Sequence, residues 1–531
     1  MINTAPTPRA AVAVSWILAG IAVLSSGLFA SPAAAQTDEF VSQLNRGYLG
    51  VPADKRSDLV LLPLIAKMEP APMRVRVLSE AAIMPADLPA FAESRAWAEK
   101  PEQQAVIAAL ATISKEKKWR ESFVWGLPYG IEDVPTEFVE ARLYSELGDP
   151  PTLAGARHYW IPRLDDVASL VNIEATRRLA DGKASDAVDV LMQWANLCRQ
   201  IGDRQLAVEA KWGLTHLAQA FERIRDIAYS DLRGAKTLDL ARVPEQVKAL
   251  DIETPLDITR LRLPKGDSIA AAQVAARVFS AAETVNTQVF GPTLARIGAV
   301  DFPLRVFSES SRWSAAATVH ADGRDTKSKI NSVQNDFTAR WELGWFDRRH
   351  LAPTEYSKLE PARFALIART MPDLRELYDL RMMCFIEMQG SQLSLCLAAA
   401  TIANKSQPKV LTVVRPRWIE VIRNDPLSKS METGQFAVPR YFIPMQRRPG
   451  MSEKDTPKPH EIDIVPATGS PFAARLDDTQ MVLYSVGVDS ADNSAKRVQN
   501  TMQLATGTDY LMWPPVISLY RQHLRDSQQL K

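Results

Sequence analysis

The chain has 531 residues, of which 46% are hydrophobic and 24% charged, a composition that can bury a full globular core. Lys and Arg number 63 against 62 Asp and Glu, so no overall basic excess points to a nucleic-acid binder. The three cysteines, Cys198, Cys384 and Cys396, exclude a dense disulfide framework. Cys384 and Cys396 fall in one helical stretch, about 18 Å apart along a straight helix and too far to bridge. All three read as buried small hydrophobes.

Residues 1–35 read as a secretory signal peptide. Arg9 precedes an uncharged apolar run from Ala10 to Ala30, Ser31-Pro32 breaks it, and Ala33-Ala34-Ala35 closes it before Gln36. The run also has the roughly 20 residues of a membrane-spanning helix. The rival reading is therefore an uncleaved anchor with the rest of the chain outside. Ser25, Ser26, Gly27 and Pro32 favour cleavage. No Cys follows the run, which argues against a lipoprotein, and no second run of that length occurs. The expectation is an exported protein of the periplasm or cell envelope. It contacts a membrane only if the segment over residues 10–30 is kept.

Residues 38–152 read as a helical and loop region. Glu102 to Lys115 has helical periodicity through Ala105, Val106, Ala109, Leu110 and Ile113, and Trp125 to Gly130 is a loop. Residues 153–370 read as a helical domain. Asp181-Gly182 and Gly202-Asp203 punctuate Leu164 to Tyr229 into about three antiparallel helices. Ala187, Val188, Leu191, Trp194, Ala195 and Cys198 form one apolar stripe, with Ser185 as N-cap. The spacing of these glycines does not match the period of about 34 residues of tetratricopeptide repeats, so this is a helical hairpin array. Ser268 to Val289 and Lys327 to Trp345 are further candidate helices.

Residues 371–531 change texture. Pro372 opens a long helix reaching about Asn404. Short strands follow at Arg440 to Ile443 and Met481 to Val488, with a flexible insertion near 446–460. Trp513-Pro514-Pro515 reads as the core anchor of a final strand. The fold class expected is mostly α, a helical hairpin array, followed by a small α+β module.

This order of long helix, Asp425-Pro426, Leu483-Tyr484-Ser485-Val486-Gly487-Val488-Asp489 and a late Asp509 resembles the C-terminal module of the major pseudopilin of type II secretion systems, over about Met371 to Pro515. The whole chain resembles bacterial cell-envelope proteins that join a helical region to such a module. The resemblance implies a helix packed on a short antiparallel sheet and a calcium loop, whose matching positions are Asp489, Asp492, Asn493 and Asp509. Calcium takes about six to eight oxygen ligands. Here Ser490-Ala491 and Ser494-Ala495-Lys496 replace the expected Gly-rich turn, and acidic or amide side chains in such a loop commonly serve as turn acceptors. The pilin leader is absent, so assembly through a shared apolar helix is not implied.

No Gly-x-Ser-x-Gly elbow, His-Glu-x-x-His pair, phosphate-binding Gly loop or dinucleotide fingerprint is present. None of the six histidines pairs with another at metal-ligand spacing. His158, beside Tyr159-Trp160, reads as a stacked structural residue. Glu222-Arg223-Ile224-Arg225-Asp226, and Glu174 with Arg177 and Arg178, read as helix-face ion pairs. The function expected is a non-enzymatic exported envelope protein that scaffolds or binds a protein partner. The alternatives are a hydrolase with an unrecognised site and a secretion-apparatus accessory.

Overall fold

The computed structural model describes residues 32–298, 305–344, 347–428, 437–446, 458–501 and 503–530. The signal or anchor expected before residue 32, Trp345, and most of the expected insertion (447–457) lie outside these residues. No helix among the described residues is long and apolar enough to cross a membrane.

Six helices come first: α1 (Pro32–Leu49), α2 (Ser57–Lys67), α3 (Leu78–Ile83), α4 (Pro89–Ala98), α5 (Pro101–Ile113) and α6 (Thr136–Glu140). A two-residue ladder of β1 (Ser145–Glu146) with β2 (Arg157–His158) leads into α7 (Ile161–Ala180), α8 (Ala184–Gly202) and α9 (Ala207–Arg233). These last three are the antiparallel helices that the glycine punctuation predicts. Ser185 does not cap α8. Its hydroxyl accepts from Asp239 N at 2.9 Å, and the cap position is Lys183, with no side-chain bond.

Gly213 sets the distance between α8 and α9. A Cβ there would lie 2.5 Å from Gly202 N and 2.8 Å from Cys198 O, which are rigid backbone atoms. Gly213→Ala is therefore expected to push the two helices apart and cost about 1–3 kcal/mol, read as a lowered urea midpoint.

Next come α10 (Val243–Ala249), α11 (Gly266–Val278), α12 (Thr287–Gly298), α13 (Arg305–Ala317), α14 (Gly323–Trp341) and α15 (Ala365–Thr370). The single helix expected over Ser268 to Val289 is two. Ser280 breaks it: its N donates to Thr284 O at 2.8 Å and its hydroxyl accepts from Ala282 N and Thr284 N. A Ser side chain that satisfies nearby backbone in this way competes with helix.

The long helix α16 (Arg375–Asn404) packs between α9 and a sheet of β3 (Arg440–Phe442), β6 (Val482–Ser485) and β8 (Tyr510–Trp513), ordered β3-β6-β8 and antiparallel. Gly390 lets the helix approach β8, because a Cβ there would meet Met512 Cγ at 3.1 Å. Trp513 is buried and meets Tyr229 of α9 edge-on at 5.2 Å. A second sheet, ordered β5-β4-β7, comprises β4 (His460–Pro466), β5 (Phe472–Leu476) and β7 (Arg497–Asn500). Its β4–β7 pair is parallel. Backbone bonds from Gln499 N to Asp509 O and from Asp509 N to Arg497 O link the two sheets. The last helix, α17 (Val516–Asp526), lies against α9, β4, β5 and α3. Mostly α with a smaller α+β part is therefore the architecture.

Candidate functional site

A cleft of about 930 Å³ opens between the start of α7, the start of α9, Asp267 at the head of α11, and the α15–α16 connection. His158 and Asp267 line it. The β1–β2 register sets Ser145 opposite His158, with the Ser145 hydroxyl 2.9 Å from His158 Nδ1. Glu209, in the first turn of α9, places Oε1 3.3 Å from the same nitrogen. The ring meets Tyr129 and Trp160 edge-on. Behind it, Arg204 donates to Glu209 Oε1 from Nε and Nη2 at 3.1 and 3.0 Å and to Leu127 O at 2.6 Å. The Arg204 guanidinium lies between the Tyr48 and Tyr129 rings at 4.3 and 4.5 Å. The Tyr129 hydroxyl donates to Glu209 Oε2. The Trp125 to Gly130 loop is thus drawn into the core, with Trp125 and Tyr129 both buried.

This Ser-His-Glu grouping is not a nucleophile relay. A relay needs the acid on one ring nitrogen and the nucleophile on the other. Here both partners share Nδ1, while Nε2 is buried and has no hydrogen-bond partner. Burial lowers the His158 pKa, so the ring is neutral at pH 7. The Glu209 carboxylate draws the single proton to Nδ1 and leaves a lone pair on Nε2.

Asp267 caps α9, its Oδ2 accepting from Ala207 N at 2.8 Å. Burial, with Glu209 adding, pushes its pKa up to about 7. The folded state then holds this proton more tightly than the unfolded chain, so this group's contribution to stability falls as pH rises from about 4 to about 7. Asparagine keeps the cap acceptor and removes the charge. Asp267→Asn is expected to match the parent near pH 4 and to exceed it at pH 8 by about 1–2 kcal/mol. Urea unfolding at both pH values measures this.

A second cleft, of about 760 Å³, lies between the ends of α7 and α9, β5 and α17. Buried charges tie its base together. Asp226 accepts from Arg223, from the Ser518 hydroxyl, and from Arg521 Nη1 and Nη2 at 2.8 and 2.7 Å. Arg521 also donates to Ile83 O and Ala82 O. Deeper in, Arg225 pairs with Glu387 of α16, whose other oxygen accepts from the Tyr510 hydroxyl at 2.5 Å. Glu222 Oε1 accepts from Ile517 N at the start of α17. The run from Glu222 to Asp226 does contain the expected helix-face pair, Arg223 with Asp226. Its charges, however, brace three other elements from within the core.

The loop matched to a calcium site gathers Asp489, Asp492, Asn493 and Asp509 into one turn system. Asp489 accepts from Ala491 N at 2.9 Å and Gly507 N at 2.6 Å. Asp492 accepts from Ser494 N and the Tyr484 hydroxyl, both at 2.8 Å, and its other oxygen lies 3.4 Å from Arg440 Nε. Asp509 accepts from Asn493 N and Ala495 N at 3.4 and 2.7 Å. Burial, with Asp492 and Asp489 adding, raises the Asp509 pKa to about 6. All six carboxylate oxygens face donors, and a cation would have to displace several of them. Among the described residues no three or more His, Cys, Asp or Glu side chains are grouped to hold a metal. Asp425 closes the strand motif from behind, accepting from the Ser485 hydroxyl at 2.7 Å and from Val486 N at 3.3 Å.

The buried acids and arginines of these clusters carry no motif and no fixed spacing. Glu209, Arg204, Asp267 and Glu387 went unread in the sequence for that reason. Comparison with family models, with curated proteins and with solved structures finds no match to this chain.

Proposed function

We propose that the protein is a non-enzymatic scaffold of the cell envelope, exported by its N-terminal segment, that holds a segment of a protein partner in its open clefts. One observation carries this reading. The buried charges are engaged with one another as braces between α9, α16, β8 and α17, so the polar chemistry near the clefts fixes shape. Large clefts on a braced helical frame suit the capture of a peptide segment. The pseudopilin-like reading of the C-terminal part belongs to the same proposal and is supported by α16 lying against the antiparallel β3-β6-β8 sheet.

The test is photo-crosslinking from Val208, which is 55% exposed and lines the 930 Å³ cleft. A benzophenone side chain there is expected to give one stoichiometric adduct with an envelope protein. A secretion component as the adduct would place the protein as an accessory of that apparatus. Loss of the adduct on chelation would assign calcium to the Asp489 loop. The absence of any discrete adduct would overturn the scaffold reading.

A second reading, a hydrolase, is favoured by the free Nε2 of His158 and the near-neutral Asp267 lining one cleft. Burial keeps the His158 ring a neutral base at pH 7, and Asp267, whose pKa is pushed up to about 7, is an acid on the same cleft. Hydrolysis of ester probes that disappears in His158→Gln, with unchanged urea unfolding, would establish it.

A further inference from the structure

Directly after α16, where Lys405 ends the helix in the left-handed region (φ 55°), the chain presents a basic and apolar surface. Val410, Val413 and Val421 are 53, 43 and 58% exposed. Val410 precedes and Val413 lies within one 3-10 turn, Leu411–Val414, whose buried Leu411 and Val414 fix it to the core. Arg415 Nε donates to Glu420 O at 2.7 Å and closes the following loop, which brings Val421 back beside Arg415. Lys405, Lys409, Arg415 and Arg417 alternate along the chain with the valines and are all exposed, with Glu420 the one exposed acid between Lys405 and Val421. Arg417 stacks over the buried Trp418 at 4.5 Å, which holds its head group at the surface. No residue of this stretch lines either cleft.

We infer that this surface seats the protein on an anionic lipid bilayer, with the three valines entering the interface and the four cations meeting lipid phosphates. The inference is independent of the scaffold reading. Single exposed valines on a turn and loop that line neither cleft offer no groove to a folded partner, whereas a fluid interface accommodates them without shape complementarity. The charge is local: the whole chain carries a formal net charge of +1, and this stretch alone holds four cations to one exposed acid. Attraction of such clusters to anionic lipid is short-ranged and falls off within a Debye length, so only this face would engage.

The test uses the full chain. Cys198, Cys384 and Cys396 are all buried, so a cysteine introduced by Val413→Cys takes an environment-sensitive nitrobenzoxadiazole label selectively. Val319→Cys, at another exposed position, is the control. With vesicles of mixed phosphatidylcholine and phosphatidylglycerol at physiological salt, the label at 413 is expected to shift to the blue and the label at 319 is not. Pure phosphatidylcholine should leave both unchanged. The N-terminal apolar run is the same in every variant and cannot produce this difference. Combining Lys405→Gln, Lys409→Gln and Arg417→Gln should weaken vesicle binding about a hundredfold, since each basic residue near an anionic surface contributes about fivefold. Equal shifts at 413 and 319, or undiminished binding by the triple variant, would overturn the inference. So would a shift at 413 produced by polyglutamate and not by vesicles, which would point to an acidic protein instead.

Discussion

Glu387→Gln is expected to destabilise the protein by about 3–5 kcal/mol, because it removes the carboxylate paired with the buried Arg225 guanidinium and leaves only Glu222, whose pKa burial and Glu387 push up to about 7, as a nearby acid. Arg225 and Glu387 are 0 and 2% exposed, so water cannot replace the lost partner. Arg225 already has two nitrogens, Nε and Nη2, with no hydrogen-bond partner, and its remaining bonds run from Nη1 to the Glu387 carboxylate and the Glu387 carbonyl. The carboxylate also anchors the Tyr510 hydroxyl of β8. Glutamine keeps one acceptor oxygen, and if that oxygen stays on the Tyr510 hydroxyl its amide donors face Arg225, so the effect combines the lost charge with a lost hydrogen bond. The pair joins α9 to α16, and through Tyr510 to the sheet, so its loss should loosen the junction of the helical region with the C-terminal part. Urea unfolding followed by tryptophan fluorescence reads it, with Trp513 close by on β8. The apolar triple replacement Arg225→Met, Glu387→Leu and Tyr510→Phe should recover most of the loss, since a buried ion pair replaced entirely by packed hydrophobic groups is often neutral. A Glu387→Gln protein as stable as the parent would mean that water or another group already compensates Arg225.

What was legible in the sequence follows the range of the forces involved. The α7–α9 helices could be read because Asp181-Gly182 and Gly202-Asp203 mark short connections and the stripe from Ala187 to Cys198 repeats at the helical period, both local properties. Trp513 could be placed in the core because a large aromatic beside prolines, next to a strand pattern, has few other places to go. The break at Ser280 was hidden because alanine-rich flanks carry strong helical periodicity, while the turn depends on side-chain bonds from a single serine. The charged clusters were hidden for a deeper reason. Arg225 and Glu387 are 162 residues apart, and Arg521 and Asp226 are 295 apart, so no spacing rule joins them. A charged run on a helix normally marks its wet side. α9 has no wholly wet side, since α8, α16 and α17 all pack on it, and Arg225 and Asp226 find their charged partners on α16 and α17.

Asp226→Asn should release α17 from the rest of the protein, because one buried carboxylate neutralises two guanidiniums there. Asp226 is fully buried, Arg223 is 3% exposed, and Arg521 reaches across from α17 to the same two oxygens. Asparagine retains a single acceptor oxygen and turns its amide donors toward Arg223 or Arg521, so one guanidinium loses its bond and both lose the Asp226 charge, with Glu222 the acid that remains near Arg521. The expected cost is about 3–5 kcal/mol. It should fall locally, since among the described residues the other polar ties of α17 to the rest of the fold are Glu222 to Ile517 N, Arg525 to Asp87, and Arg521 to the carbonyls of Ala82 and Ile83 at the end of α3. Amide exchange in the α17 segment is expected to accelerate well before exchange in α8 or α16 changes, which is the mark of a sub-global opening. Uniform acceleration across all helices would instead show that α17 is integral to the cooperative core, and no change would show that its remaining polar ties and the buried Val516, Leu519 and Leu524 suffice to hold it.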